Sequence, residues 1–299
     1  MKAKILIILI ILIGLGIGGF FVWRDISVPA PIEVSNTTRA GILEREEIWS
    51  GQINITGDIL VEEGVTLTIL PGTQVIISAN KDIRNLFGHW ECDGIENYDL
   101  LIGTKEEDNT NCGIHRDEPY RDEAHHISLI IKGTLRAVGA EENKIIFKSD
   151  SLKPTIYDWN RLEIYNGILS YANIENYRIL GTNGDDVEIS HNNLKNIGEC
   201  GICANSKAKI FFNTISYAGH ELIDMHNNSP IIHNNKLGPN PNQPCIVIDG
   251  GLPQIVGNTI KSCGSGILML KPPDDPTFEK NVLQNNTFIG NNNSIWYTY

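Results

Sequence analysis

The sequence predicts an all-β solenoid, a right-handed single-stranded parallel β-helix, and three observations carry that expectation. From Ala172 onward a small or polar residue, one spacer and a large apolar residue recur, the apolar member being Ile174, Leu194, Ile215, Leu237, Ile260 and Phe288. The steps of 20, 21, 22, 23 and 28 residues are those of stacked coils, each able to bury its apolar face only against its neighbours. Within a coil the apolar residues follow period two, as in Ile246-Val247-Ile248 and Ile267-Leu268-Met269, which reads as strand. Turn formers fill the gaps, as in Asn227-Asn228-Ser229-Pro230 and Gly250-Gly251-Leu252-Pro253. The crossover rule for parallel strands gives the winding its right hand. Roughly eight coils at about 4.8 Å each make a rod about 40 Å long.

Before the solenoid, residues 5–23 carry no charge, and Lys2 and Lys4 precede them. A run of that length spans a bilayer as a helix, and the leading lysines keep the N-terminus in the cytoplasm. Residues 1–25 therefore read as a signal-anchor or single-pass transmembrane helix. Cleavage after Val28-Pro29-Ala30 is the alternative. Either way the solenoid lies outside the cytoplasmic membrane. Residues 26–45, with Pro29 and Pro31, read as a tether, and residues 46–299 as the β-helix.

One interruption stands out, at about residues 79–127, between Gln74-Val75-Ile76-Ile77 and Ser128-Leu129-Ile130-Ile131. It is polar, acidic and rich in His and Cys, and long insertions in solenoids leave the rod as loops that carry function. An oxidising compartment points to a Cys92–Cys112 disulfide. The alternative is zinc held by His89, Cys92, Cys112 and His115, an HxxC followed by a CxxH. Asp93, Glu96, Asp117, Glu118, Asp122 and Glu123 supply oxygen ligands for calcium, without a known loop spacing. The solenoid itself requires no cofactor. Trp90, Tyr98 and Tyr120 offer flat faces for sugar rings if the loop roofs a groove.

In the repeats, Asn192, Asn213, Asn235, Asn258 and Asn286 fall at one turn of successive coils and are expected to stack as a structural ladder. Asn tolerates the left-handed backbone of a tight corner and bonds its amide to the next Asn. Cys200, Cys203, Cys245 and Cys263 also lie in the repeats. They read as small buried residues or one inter-coil disulfide, and the CxxC spacing of Cys200 and Cys203 is partly a product of the coil pattern. The chain ends on Ile295-Trp296-Tyr297-Thr298-Tyr299, expected to cover the open edges of the last coil.

Net charge is −12 and the isoelectric point about 5.1, which excludes nucleic acid as a partner and disfavours an anionic polysaccharide bound by charge alone. One polar cluster remains on the repeats. With Ile223 and Met225 facing the core, Asp224 and His226 face out, and His226 falls beside Asp249 of the next coil. The opposite register buries Asp224 unpaired, which is costly. Asp224, His226 and Asp249 thus form a candidate acid-base patch, set against the plainer reading of a solvated polar face.

The opening phrase Gly64-Val65-Thr66-Leu67-Thr68-Ile69-Leu70-Pro71-Gly72-Thr73, the coil Ile131-Lys132-Gly133-Thr134-Leu135-Arg136-Ala137-Val138-Gly139 and the Asn repeats resemble the pectin-lyase-like superfamily of right-handed parallel β-helices. The likeness is to its carbohydrate-binding and sugar-hydrolysis repeats. It implies the fold over most of residues 45–295 and leaves the function open, since the family holds lyases, hydrolases, epimerases, adhesins and proteins of no known role. Gly184-Asp185-Asp186 resembles the paired-aspartate motif of polygalacturonases, but the flanking Asn-Thr-Asp, Gly-His-Gly and Arg-x-Lys are missing, so no catalytic role passes to Asp185 or Asp186. The expectation is a membrane-anchored extracytoplasmic β-helix that binds a polysaccharide or other cell-surface polymer, or serves as a scaffold, without catalysis. A polysaccharide hydrolase or lyase is the first alternative, and an adhesin-like platform for a protein partner the second.

Overall fold

The computed structural model describes residues 30–79 and 126–298. Two long strands open it, β1 (Ile32–Leu43) and β2 (Glu47–Val61). Along its length β2 pairs with three strands in turn: β3 (Thr66–Ile69), β4 (Gln74–Ile77) and β5 (Ser128–Ile131). One coil therefore carries three strands, one for each face of the rod.

The winding continues in threes. The fourth coil holds β6 (Thr134–Val138), β7 (Ile145–Ser149) and β8 (Trp159–Ile164). The fifth holds β9 (Gly167–Ser170), β10 (Ala172–Glu175) and β11 (Tyr177–Thr182). The sixth holds β12 (Val187–Ser190), β13 (Asn193–Ile197) and β14 (Ile202–Ala204). The seventh holds β15 (Lys209–Phe211), β16 (Thr214–Ala218) and β17 (Ile223–His226). The eighth holds β18 (Ile231–His233), β19 (Lys236–Leu237) and β20 (Asn240–Asp249). The ninth holds β21 (Gln254–Val256), β22 (Thr259–Lys261) and β23 (Cys263–Lys271). The tenth replaces its first strand by helix α1 (Phe278–Asn285) and ends with β24 (Thr287–Ile289) and β25 (Ile295–Tyr297). Every pairing between these strands is parallel, as at the third-face pairs β14–β17, β17–β20 and β20–β23. Ten layers among the described residues, at about 4.8 Å each, give a rod a little over 40 Å long.

The apolar repeat is the inner column of the second face. Val75, Phe147, Ile174, Leu194, Ile215, Leu237, Ile260 and Phe288 follow one another in register, each on the coil below the next. All but Phe288 are almost wholly buried, and each such side chain contributes about 1.5–3 kcal/mol. The alternating neighbours face out. This is why a period near 21 with an inner period of two folds as a coil rather than as a flat sheet.

Two expectations change. Residues 32–43, read as part of a tether, form β1 and pair with β2. Their pattern is more polar because an end coil has a neighbour on one side only; Val34 packs on the core and Leu43 is buried, while Ile32 and Ile42 stay exposed. The C-terminal aromatic run does not cover the last coil: Ile295–Tyr297 is the last strand of the third face, paired with β23. The cover is α1, on the first face only, where Phe278 and Val282 are buried and Glu279 accepts a hydrogen bond from the Tyr297 hydroxyl at 2.6 Å.

Among the described residues no helix is long and apolar enough to cross a membrane. The segment 5–23, on which the transmembrane expectation rests, lies outside the described residues, as do residues 80–125 with His89, Cys92, Cys112 and His115. The insertion falls between the second and third faces of the third coil, because β4 precedes it and β5 follows it.

Candidate functional site

The ladder residues come first, because they set the register of everything else. Asn192 donates from its side-chain amide to Asn213 Oδ1 at 3.1 Å, Asn213 to Asn235 at 3.0 Å, Asn235 to Asn258 at 3.0 Å and Asn258 to Asn286 at 2.9 Å. The same oxygens accept the backbone N–H of the preceding rung, and the amides also reach carbonyls on the preceding coil, as Asn213 does to Ile189. These buried amides are consumed by the fold and offer nothing to a ligand. The left-handed corner falls one residue earlier than expected. It is His191 (φ 58), Phe212 (φ 55), Asn234 (φ 56) and Gly257 (φ 72) that take positive φ, while the ladder Asn do not. The ladder side chain must turn inward along the strand to meet the next rung, and the residue before it makes the corner.

That corner carries rings. Tyr171 stacks on His191 at 4.5 Å and 13°, and Phe211 on His233 at 4.8 Å and 7°. Ring faces used on each other are not available to a sugar, which needs an open face. Gly184-Asp185-Asp186 is a turn between the third and first faces. Asp185 accepts the backbone N–H of Lys207 at 3.0 Å and is exposed, the behaviour of a turn aspartate.

The polar cluster lies on the third face. In β17 Ile223 and Met225 are buried in the core, and Asp224 and His226 point out. Leu222, in the bend before the strand, is buried as well. His226 is the register partner of Asp249 on the eighth coil. Its Nδ1 lies 2.9 Å from Asp249 Oδ2, and its Nε2 lies 2.9 Å from Asp224 Oδ2. One imidazole is thus bracketed by carboxylates from two successive coils.

The electrostatics follow from burial and distance. The hydrogen bond to Asp249 raises the His226 pKa against the opposing effect of burial, with the Asp224 charge adding to the rise. Burial raises Asp224 by more than His226 lowers it. Burial also raises Glu221, with the nearby Asp224 charge as the second cause. Glu221 belongs to the cluster although the candidate set of Asp224, His226 and Asp249 leaves it out; its place three residues before Asp224, in the same bend, is the only signal the sequence carries.

Chemically the bracket works against a proton-transfer role. A histidine acting as base needs one nitrogen free toward its substrate. Here both nitrogens meet carboxylates, and Asp224 Oδ1 is buried without a hydrogen-bond partner rather than presented to solvent. Beyond the cluster the outward line turns apolar. Asp224 is followed in register by Val247, Leu268 and Trp296 on the next three coils, and Trp296 is 51% exposed at the end of the rod.

Two disulfides join described residues: Cys200–Cys203 beside this line and Cys245–Cys263 between the eighth and ninth coils. Cys203 is the register partner of Asp224. Among the described residues no group of three or more His, Cys, Asp and Glu side chains is arranged to hold a metal ion.

A family model described as the right-handed β-helix region matches residues 177–299. No curated protein and no solved structure matches the chain. The matched segment begins at β11, and the same three-faced winding runs back without a change of register to β2, an architecture that fits the pectin-lyase-like superfamily. Residues 177–299 match the right-handed β-helix region, and with the earlier coils continuing the winding, the described residues form a right-handed parallel β-helix.

Proposed function

We propose that this β-helix works outside the cytoplasmic membrane as a non-catalytic binder of a glycan or similar surface polymer, tethered by the apolar segment 5–23. The observation that carries the reading is the outward line Asp224, Val247, Leu268 and Trp296 on the third face. It runs from the carboxylates and imidazole of the seventh and eighth coils, over a nearly buried Val247 and a half-buried Leu268, to a half-exposed indole on the tenth. Sugars are bound in that way, with an apolar ring face on an aromatic plane and hydroxyls on planar polar groups. The disulfides Cys200–Cys203 and Cys245–Cys263 support an oxidising compartment. The acidic balance of the chain favours a neutral polymer over an anionic one.

A second reading is a polysaccharide hydrolase, favoured by one observation: Glu221 and Asp224 are neighbouring carboxyl groups both pushed toward the neutral form. The engaged nitrogens of His226 count against it.

The test is the full-length protein in detergent, mixed with a panel of neutral and charged polysaccharides and read both for retention and, by mass spectrometry, for released oligosaccharides. Retention that Trp296→Ala abolishes, with no product, is the expected outcome. Released product on any substrate overturns the non-catalytic reading, and retention unaffected by Trp296→Ala moves the binding surface elsewhere.

A further inference from the structure

The bracket around His226 has a stoichiometric consequence. A neutral imidazole carries one N–H and one lone pair. With Nδ1 and Nε2 each 2.9 Å from a different carboxylate oxygen, only the doubly protonated ring can donate to both. Once the ring loses a proton, one of the two contacts sets a nitrogen lone pair against carboxylate lone pairs. We propose that His226 is a proton-operated clasp that ties the seventh coil to the eighth on the third face and releases them when it is deprotonated.

The surroundings support a clasp that can open. Ile223–His226 and Ile246–Asp249 pair directly, so the clasp closes the outer edge of an existing ladder rather than making one. His226 is more than half exposed, and the ring can leave without opening the core. Its backbone carbonyl is held separately, by Asn228 Nδ2 at 2.8 Å, so the chain stays anchored when the ring moves. The charged groups around it are Asp224 and Glu221 of its own coil, Asp249 of the eighth and Lys271, the register partner of Asp249 on the ninth. On the sixth coil the register partner of Asp224 is Cys203, bound in a disulfide and without charge. Deprotonation therefore leaves three carboxyl groups facing one lysine, and their mutual repulsion adds to the loss of the clasp.

The direction of the His226 shift agrees: its hydrogen bond to Asp249 and the charge of Asp224 hold the proton on the ring above the ordinary value of 6.5. The clasp is then closed below the folded pKa of His226 and opens as pH rises through it. Any effect on polymer binding rests on the reading given under Proposed function; the clasp itself does not.

The experiment uses the full-length protein without ligand, from about pH 5.5 to about pH 9. Exchange of the histidine ring C–H, read by mass spectrometry, gives the His226 titration midpoint. Backbone amide exchange, corrected for the intrinsic effect of pH, is followed over 223–226 and 246–249, with 214–218 as the internal reference. The expected result is a midpoint above that of free histidine, lowered in Asp249→Asn. A several-fold rise in exchange of the two strands above that midpoint should accompany it, with the reference unchanged. In His226→Gln the two strands should exchange quickly at every pH. A midpoint at or below that of free histidine overturns the proposal, as does exchange that stays flat through the midpoint. If polymer binding fails on every substrate while the exchange step appears, the clasp stands and the binding reading falls.

Discussion

His226 and Asp249 lie in register on the seventh and eighth coils, with Nδ1 and Oδ2 2.9 Å apart, and the same ring reaches Asp224 on its own strand at the same distance. A β-helix brings residues about 23 positions apart to within one rung, and here it uses that proximity to hold an imidazole between two carboxyl groups. The arrangement occupies both nitrogens, which is why the cluster reads as a link between coils rather than as an acid-base pair.

The first prediction concerns pH. The folded pKa of His226 is raised, so its contribution to stability is fully present below 6.5 and is lost as pH rises through the folded value. The melting temperature of the wild-type protein minus that of His226→Gln should be positive below 6.5 and shrink toward zero as pH rises through the folded pKa. The ring is largely exposed, so the difference at its largest is small, about 1–3 °C. Thermal melts of both proteins across the range decide it, and a difference that grows with pH would refute the assignment.

Asp224 gives the opposite sign from a usual aspartate. Its folded pKa is raised from 3.8 because burial outweighs the pull of His226. Such a group stabilises the fold when protonated, below its unfolded value, and loses that contribution as pH rises through the folded one. The ionised form is therefore the one that costs stability. Asp224→Asn should melt at or up to about 2 °C above wild type, since an amide oxygen still accepts from His226. A fall of several degrees would show that the charge stabilises the fold instead.

Asn213 sits in the middle of the ladder. Asn213→Ala leaves the amide of Asn192 and the carbonyl of Ile189 without their side-chain partners in a dry interior. Each buried group left unsatisfied costs about 1–3 kcal/mol, and two or more are orphaned here, so a loss of about 3 kcal/mol or more is expected in chemical denaturation. A loss below about 1 kcal/mol would mean that water replaces the side chain, which the burial of these residues argues against.

Cys245 and Cys263 join adjacent coils across 18 residues of sequence. A loop of that size is worth about 3 kcal/mol of chain entropy in the unfolded state. Cys245→Ser with Cys263→Ser should lower stability by that order while far-ultraviolet circular dichroism keeps its β signature, because the ladder hydrogen bonds of β20 and β23 do not depend on the bridge. Full loss of structure would assign the disulfide a role in folding itself.

Much of the fold was legible because its rule is local. The apolar residue at 174, 194, 215, 237, 260 and 288 had to face one way in every coil, and it forms one inward column, buried except at the last rung, Phe288. Period two then placed Asp224 and His226 outward without reference to any distant residue. The end elements were not legible, because an end coil escapes the rule. β1 is polar since among the described residues it has a single neighbour, and α1 shows only Phe278 and Val282, one turn apart, in an Asn-rich stretch.

The sequence by itself determined the solenoid, its period, the inward column and the side of the strand on which Asp224, His226 and Asp249 stand. Those follow from burial, which every coil must satisfy with its own residues. Only the tertiary structure decided that Asp224 and Asp249 would share one imidazole, that Cys245 would meet Cys263, and that the corner would fall on His191 and Phe212 rather than on the ladder Asn. Each of these depends on the register between coils to within one residue. Register is fixed by the sum of many backbone pairings and the Asn ladder together, and no single stretch of sequence carries that sum.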